Sequence, residues 1–195
     1  MKKRTLIILG HPNPESYCGT LADHYATGAR NAGSTVETLA LADLTYDIVL
    51  HRGYREIQEL EPDLTMLQEK IRAADHLVFV YPTWWGGPPA LLTGTIERML
   101  LPGFGFKYHK NSPLWDKLLK GKSARIITTM DSPYLYYLLA WGAPGDKLMK
   151  HAVLKFCGIS PVRFTHVDRL RFRSDAWRKE MLEKVEQVAA GDAHS

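Results

Sequence analysis

Cysteine is scarce in this sequence, which contains only Cys18 and Cys157. Two isolated cysteines are too few for a disulfide framework and do not form a zinc-binding motif, so they fit a reducing cytoplasm best. The sequence has no H-E-x-x-H motif and no paired C-x-x-C motif, and we therefore expect no bound metal. It also lacks the G-x-S-x-G turn that presents a serine nucleophile in hydrolases.

Long apolar runs are missing as well. None approaches the ~20 residues of a membrane-spanning helix, so we expect a soluble protein without membrane insertion. Residues 1–10 begin with basic and continue with apolar side chains, as a secretory signal does. Their apolar core of about five residues is shorter than a signal needs, and we predict a first strand there instead.

Neither positive nor negative charge dominates the chain as a whole. The formal net charge is a modest +4. Six basic residues lie between Arg163 and Lys179, but acidic residues interrupt them and no aromatic stacking platform accompanies them. A solvated surface explains this segment, and we expect no nucleic acid as a partner.

The clearest feature that is present is a buried strand followed by an unusual turn. Residues 74–81 form a nearly continuous apolar run of strand length, which is typical of a sheet covered on both faces. The turn that follows contains two tryptophans and two glycines, and apolar residues then recur at helical spacing from Pro89 onward. In open α/β sheets, ligands bind at the carboxyl ends of such strands.

Strands and helices alternate along the rest of the chain. The pattern predicts strands at 4–10, 35–41, 75–81, 124–130 and 162–167, and helices at 16–32, 63–73, 89–100, 146–156 and 174–189. Residues 42–62 and 131–145 have no clear period, and the second stretch is a candidate site loop. A single α/β domain over residues 1–195, with a parallel sheet between two helical layers, follows from this alternation.

Unusual loops follow the first, third and fourth predicted strands, whereas the second strand ends in ordinary sequence. A five-stranded sheet of order 2-1-3-4-5 places these three loops together, beside the switch point between strands one and three. The sequence therefore predicts a site over strands one, three and four.

Two of these loops suggest different parts of one ligand. The loop at 10–20 enters a helix, where free N–H groups and the hydroxyls of Ser16 and Thr20 suit a phosphate, although an ordinary N-cap at Ser16 explains it equally well. At the other loop, Gly86 and Gly87 allow the backbone to approach a flat ring, and Trp84 and Trp85 can pack against it. The alternative there is a hydrophobic turn that covers the core.

These residues resemble those of the flavodoxin-like NAD(P)H:quinone oxidoreductase family, and the resemblance runs from strand one to about Gly158. It implies a flavodoxin-like three-layer sandwich and a bound flavin, FMN or alternatively FAD. The residues matching the flavin phosphate site are His11, Ser16, Tyr17, Cys18 and Thr20. Those matching the loops around the flavin ring are Pro82, Thr83, Trp84, Trp85, Gly86, Gly87, Thr128, Thr129, Met130 and Asp131. The family commonly has asparagine at position 18 and two glycines at 130 and 131.

The resemblance also implies an activity. Hydride would pass from NAD(P)H through the flavin to a quinone or similar flat acceptor, in a ping-pong cycle carried out by a homodimer. Tyr136, or alternatively Tyr134, would assist charge redistribution in the flavin, while the family's histidine falls near Gly142 and is missing. The alternative function is a flavin-binding accessory subunit of a cation-efflux transporter.

Overall fold

Seven strands lie within residues 2–194, the part of the chain that this computed structural model describes. In chain order they are β1 (Arg4–Leu9), β2 (Thr35–Ala40), β3 (His76–Pro82), β4 (Phe106–Tyr108), β5 (Trp115–Lys117), β6 (Ser123–Thr129) and β7 (Val162–Val167). Five of them form a parallel sheet in the order β2-β1-β3-β6-β7. The predicted order 2-1-3-4-5 is therefore confirmed, because β6 and β7 are the fourth and fifth strands of this sheet.

Helices cover both faces of the sheet. They are α1 (Tyr17–Asn31), α2 (Pro62–Ala73), α3 (Ala90–Met99), α4 (Tyr134–Trp141), α5 (Pro144–Lys147), α6 (Lys155–Cys157) and α7 (Asp175–Ala193), and a π-helical segment, Leu148–Leu154, joins α5 to α6. Helices α1 and α7 pack on one face, and α2, α3 and the π-helical segment pack on the other. None of the helices in the described range is long and apolar enough to cross a membrane.

The buried apolar runs explain why the central strands are central. Every residue of β3 is buried, and so are six of the seven residues of β6. Strand β2 lies at the edge of the sheet and keeps an exposed face, as its alternating sequence predicted. Gly33 adopts a left-handed φ of +92° after α1, which is the conformation expected of a glycine that ends a helix.

Two regular segments differ from the sequence-based expectation. Residues 106–108 and 115–117 form the antiparallel β4–β5 hairpin, whose strands of three residues are too short to show a period. Helix α4 lies inside the 131–145 stretch that was predicted to be a loop. Its apolar side chains point in all directions and most of them are exposed, so the helix has no amphipathic pattern to reveal it.

A buried polar cluster lies at the amino ends of β3 and β6, opposite the predicted site. Asp192 of α7 is 3% exposed and accepts hydrogen bonds from Tyr25 Oη at 2.8 Å and from the guanidinium of Arg125. The Tyr25 hydroxyl also lies 3.0 Å from His76 Nε2, and His76 Nδ1 lies 2.7 Å from Ser123 Oγ. This cluster attaches α7 to α1 and to the sheet.

We expect the free energy of unfolding to decrease as the pH falls, because this cluster contains the buried His76. Burial lowers the pKa of His76 from 6.5 to about 4, so the folded protein keeps this imidazole neutral. Between these values the unfolded chain binds a proton that the folded chain does not, and folding stability is lost as the pH falls from about 6.5 to about 4. The loss is on the order of 3 kcal/mol. Urea denaturation across this range should show it, and a His76→Gln variant should show a flatter profile.

Candidate flavin site

The turn that follows β3 is a two-residue reversal with an unusual backbone. Trp84 N donates to Gly87 O at 2.9 Å, and Gly87 N donates to Trp84 O at 3.0 Å. Between them, Trp85 and Gly86 have φ values of 51° and 78°, as in a type I′ turn. A left-handed tryptophan costs roughly 1–2 kcal/mol, and the indole of Trp85 is fully exposed, so its own burial does not offset that cost. Strain of this kind is typical of functional sites.

Contacts from α4 and α5 hold the turn in place. The carbonyl of Gly86 accepts a hydrogen bond from Gly145 N at 2.9 Å and from Tyr137 Oη at 3.1 Å. Tyr137 is only 1% exposed. Within residues 2–194, the N–H groups of Trp85 and Gly86 have no acceptor, and a Cβ on Gly87 would meet no atom within 4 Å. The turn therefore has two backbone donors without partners and leaves space beside Gly87, which suits the carbonyls of a flat ring.

The loops after β1, β3 and β6 are joined to one another, as the sheet order predicted. Thr83 N donates to Thr129 O at 2.7 Å, and Thr129 Oγ1 lies 3.4 Å from Cys18 Sγ. Burial raises the pKa of Cys18 to about 11, more than the contact with Thr129 lowers it, so its thiol stays protonated. Cys18 thus acts as a small neutral side chain that packs α1 against the end of β6.

The other predicted site residues at the ends of β3 and β6 lie in different environments. Pro82 is buried at the end of β3, and Thr128 and Met130 are buried at the end of β6. The hydroxyl of Thr128 is one of the buried side-chain groups without a hydrogen-bond partner in the described chain. Asp131 is exposed and accepts a hydrogen bond from Arg171 N at 3.0 Å, so it fixes the loop after β7.

The loop after β1 is shaped by His11 and by the cap of α1. His11 Nδ1 accepts a hydrogen bond from Asn13 N at 2.9 Å, and its ring meets Trp84 edge to face at 5.6 Å. Burial lowers the pKa of His11 despite the Asn13 hydrogen bond, so it favours the neutral ring. Since Nδ1 is an acceptor, the proton of the neutral ring lies on Nε2, where it is available as a donor.

Ser16 caps α1 as the simpler interpretation predicted, because its Oγ accepts from Gly19 N at 3.4 Å. The N–H groups of Tyr17 and Cys18 find no acceptor in the described chain and remain available to an anion. The Tyr17 hydroxyl donates instead to Arg178 O at 2.9 Å, which attaches α7. The side chain of Thr20 is exposed on the first turn of α1.

The tyrosines of α4 divide into different roles. Tyr136 is exposed and meets Trp141 edge to face at 5.8 Å, and its catalytic role stays a prediction. Tyr134 stacks on His166 at 4.0 Å. Tyr137, which sequence reasoning did not select, is the one that reaches the turn. The sequence does not show which of the three neighbouring tyrosines is buried, because that depends on which face of the helix packs against the rest of the protein.

Gly142 ends α4 in a left-handed conformation, and the histidine on this side of the sheet comes from β7 instead. His166 Nε2 lies 2.8 Å from Asp146 Oδ2. Sequence reasoning missed this pair because the two residues are 20 positions apart and match no motif. Within the described range, no group of three or more histidine, cysteine or acidic residues is arranged to hold a metal.

Comparison with known proteins agrees with this geometry. Residues 3–189 match a protein family described as having a flavodoxin-like fold. The chain is 31% identical over 181 residues to FMN-dependent NADH:quinone oxidoreductase 2 of Listeria innocua, with 82% of this chain and 83% of the relative covered. It is 29% identical over 184 residues to human ribosyldihydronicotinamide dehydrogenase (quinone), with 80% of this chain and 77% of the relative covered.

A solved structure gives the same result at the level of the backbone. The crystal structure of Smu.1420 from Streptococcus mutans superposes with a TM-score of 0.81 at 31% identity, and the alignment covers 96% of this chain and 99% of that one. The family match, the sheet order and the three joined loops all agree. This chain belongs to the flavodoxin-like NAD(P)H:quinone oxidoreductase family.

Proposed function

We propose that this protein is a flavin-dependent oxidoreductase that passes hydride from NAD(P)H through bound FMN to a quinone or similar flat acceptor. The observation that carries the proposal is the 84–87 turn, in which the N–H groups of Trp85 and Gly86 have no acceptor in the described chain and Gly87 leaves space beside the backbone. These donors match the carbonyl oxygens along one edge of a flavin ring. FMN is preferred over FAD because a relative that is 31% identical is named FMN-dependent.

Different elements of the chain would hold the two ends of the cofactor. The free N–H groups of Tyr17 and Cys18, with the Ser16 hydroxyl and His11 Nε2, form a donor set suited to the phosphate. The 84–87 turn and the Thr128–Asp131 loop would hold the ring. When bound, the flavin supplies the hydride chemistry, and the backbone donors of the turn would stabilise negative charge on it.

The overall reaction consumes NAD(P)H, one proton and a quinone and yields NAD(P)+ and the hydroquinone. No side chain has to act as a nucleophile in this scheme. The exposed indoles of Trp84 and Trp85 lie beside the open face, where a nicotinamide and then an acceptor would stack in turn. The names of the relatives give no support to the transporter-subunit alternative, and we do not propose it.

The protein is also proposed to act as a homodimer in the cytoplasm. Apolar side chains of α4 are exposed next to the turn, including Leu135, Leu139 and Trp141. A groove of about 380 Å³ opens between α3, the β4–β5 hairpin and the π-helical segment, and Phe106, Tyr108 and Phe156 line it. Apolar surface of this extent is typical of an interface, which a second copy of the chain would cover. Two buried free thiols, Cys18 and Cys157, suit a reducing compartment.

Reconstitution tests the proposed function directly. Purified protein is titrated with FMN and with FAD by fluorescence, and oxidation of NADH and NADPH is then followed by the loss of absorbance of the reduced nicotinamide. We expect FMN retention and quinone-dependent oxidation. The double variant Trp85→Ala with Gly86→Val should weaken FMN binding by roughly a hundredfold, because it removes an indole and forces a branched side chain into a left-handed position.

Two outcomes would contradict this proposal. If the purified protein does not retain flavin and does not oxidise NAD(P)H in the presence of a quinone, it is not this enzyme. If the double variant binds FMN as tightly as the parent protein, the ring does not lie at the 84–87 turn. Light scattering of the same preparation measures the mass and therefore tests the homodimer.

A further inference from the structure

A row of polar side chains crosses three adjacent strands beneath the contact between Gly86 and Gly145. Tyr81 of β3 pairs in register with Thr128 of β6, and Thr128 pairs with His166 of β7. Partners on neighbouring parallel strands point to the same face of the sheet. Tyr81, Thr128 and His166, which we call the polar row, therefore lie side by side under α5.

His166 connects this row to α5 through a carboxylate. Its Nε2 lies 2.8 Å from Asp146 Oδ2, and both side chains are 14% exposed. The imidazole also stacks on Tyr134 at 4.0 Å and on Phe164 at 5.5 Å, so two rings limit its rotation. Asp146 immediately follows Gly145, whose N–H donates to the Gly86 carbonyl. A continuous set of contacts thus runs from β7 to the 84–87 turn.

The polar row is not fully satisfied by its own hydrogen bonds. Tyr81 and Thr128 are each 1% exposed, and neither hydroxyl has a hydrogen-bond partner in the described chain. Burial raises the pKa of Tyr81, and the negative charge of Asp146 raises it further, so this hydroxyl stays protonated beside the carboxylate. Buried polar groups that serve stability alone are normally hydrogen-bonded, and unsatisfied ones call for another explanation. Here the cluster lies directly under the strained turn.

Gly145 of α5 lies so close to the 84–87 turn that there is no room for a side chain between them. A Cβ on Gly145 would lie 2.7 Å from Gly86 O, 2.9 Å from Gly87 Cα and 2.9 Å from Tyr137 Oη. The backbone of α5 is therefore packed directly against the turn, and a shift of α5 moves the Gly86 carbonyl with it. What fixes α5 therefore also fixes the backbone of the turn, including the N–H groups of Trp85 and Gly86.

We infer that Asp146 and His166 are positioning residues for the flavin ring. Their hydrogen bond holds Gly145 and Tyr137 against the Gly86 carbonyl, which keeps the N–H groups of Trp85 and Gly86 where they would bind the ring. The inference rests on the proposed function, since it assigns these residues to the same ring site. It adds two residues from α5 and β7 that contact the turn only through other groups.

The test compares variants at His166 with and without a hydrogen-bond donor. His166→Leu should weaken FMN binding roughly tenfold, because small displacements of positioning groups have effects of this size or larger. His166→Gln keeps a donor for Asp146 and should restore most of the affinity. In His166→Leu we also expect a greater loss of affinity for reduced than for oxidised FMN, because the displaced N–H groups stabilise negative charge, and the midpoint potential of bound FMN should fall accordingly. Affinity is measured by fluorescence titration and the potential by dye equilibration.

A matched control separates positioning from general stability. His24 pairs with Glu186 at 2.6 Å on the opposite face of the sheet, and His24→Leu should leave both the FMN affinity and the potential unchanged. If His166→Leu does not fold, Asp146→Asn serves instead, since it removes the charge but keeps the size, and we expect weaker FMN binding than in the parent protein.

Each outcome distinguishes this inference from the proposed function. Parent protein that fails to bind FMN overturns the proposed function and the inference together. Parent protein that binds FMN, with a folded His166→Leu or Asp146→Asn variant of unchanged affinity and potential, overturns the inference alone. A variant that loses thermal stability but keeps the FMN affinity and the midpoint potential of the parent protein also overturns the inference alone.

Discussion

Replacing Gly145 with alanine is expected to weaken FMN binding by roughly a hundredfold, since displacement of a ring-binding loop by about 1 Å has effects of this size. The added methyl group would meet Gly86 O at 2.7 Å and Gly87 Cα at 2.9 Å, and both are backbone atoms that cannot rotate away. Either the 84–87 turn or α5 has to move, and the hydrogen bond from Gly145 N to the Gly86 carbonyl is lost or lengthened. Fluorescence titration with FMN measures the change.

The same substitution elsewhere in the chain provides the control. Gly191 lies on an exposed position of α7, where a Cβ would meet no atom within 4 Å, and Gly191→Ala should bind FMN like the parent protein. Tyr137→Phe removes one of the two donors to the Gly86 carbonyl without adding volume, so a smaller loss of affinity is expected. Unchanged FMN affinity in a folded Gly145→Ala protein would show that the ring does not lie against this turn.

The largest effect on stability is expected from Asp192→Asn. Burial alone would raise the pKa of Asp192, but the guanidinium of Arg125 outweighs it and lowers the pKa, so the carboxylate is charged in the folded protein. Arg125, Tyr25 and Arg163 all donate to it. An amide leaves buried Arg125 without its counter-charge, and the free energy of unfolding should fall by about 3–5 kcal/mol. Urea denaturation at neutral pH measures this.

A surface pair on the same helix calibrates that result. Glu186 pairs with His24 where both side chains are about one-third exposed, and Glu186→Gln should change the free energy of unfolding by less than about 1 kcal/mol. Because Asp192 lies at the amino ends of the strands, FMN affinity of the folded Asp192→Asn protein should match that of the parent. A loss below about 1 kcal/mol in Asp192→Asn would mean that the cluster does not hold α7 in the way its hydrogen bonds indicate.

The sheet, and the edge at which the three loops of the candidate site meet, were predictable from local sequence. Burial on both faces requires a nearly continuous apolar strand, and β3 shows that pattern over its whole length. Unusual loops after three strands then indicate which ends are adjacent, because parallel strands place their carboxyl ends at one edge. The 84–87 turn and the cap at Ser16 were predictable for the same reason, since local backbone demands select glycine and hydroxyl residues.

Helix α4 was not predictable, because an exposed helix of apolar residues lacks the periodicity that burial imposes. The choice among Tyr134, Tyr136 and Tyr137 depends on the phase of that helix and on what covers it. Only the folded chain shows that Tyr137 is the buried one.

By itself the sequence determined the sheet order and the loops that surround the candidate site, because these follow from periodicity and from residues that are neighbours along the chain. It determined the family through the resemblance of those loops to known ones. Only the tertiary structure decided what holds the turn. The residues that hold it come from three elements: Tyr137 from α4, Gly145 and Asp146 from α5, and His166 from β7. They reach Gly86 or one another through contacts between residues far apart in sequence. Such contacts are set by packing and leave no local pattern to read.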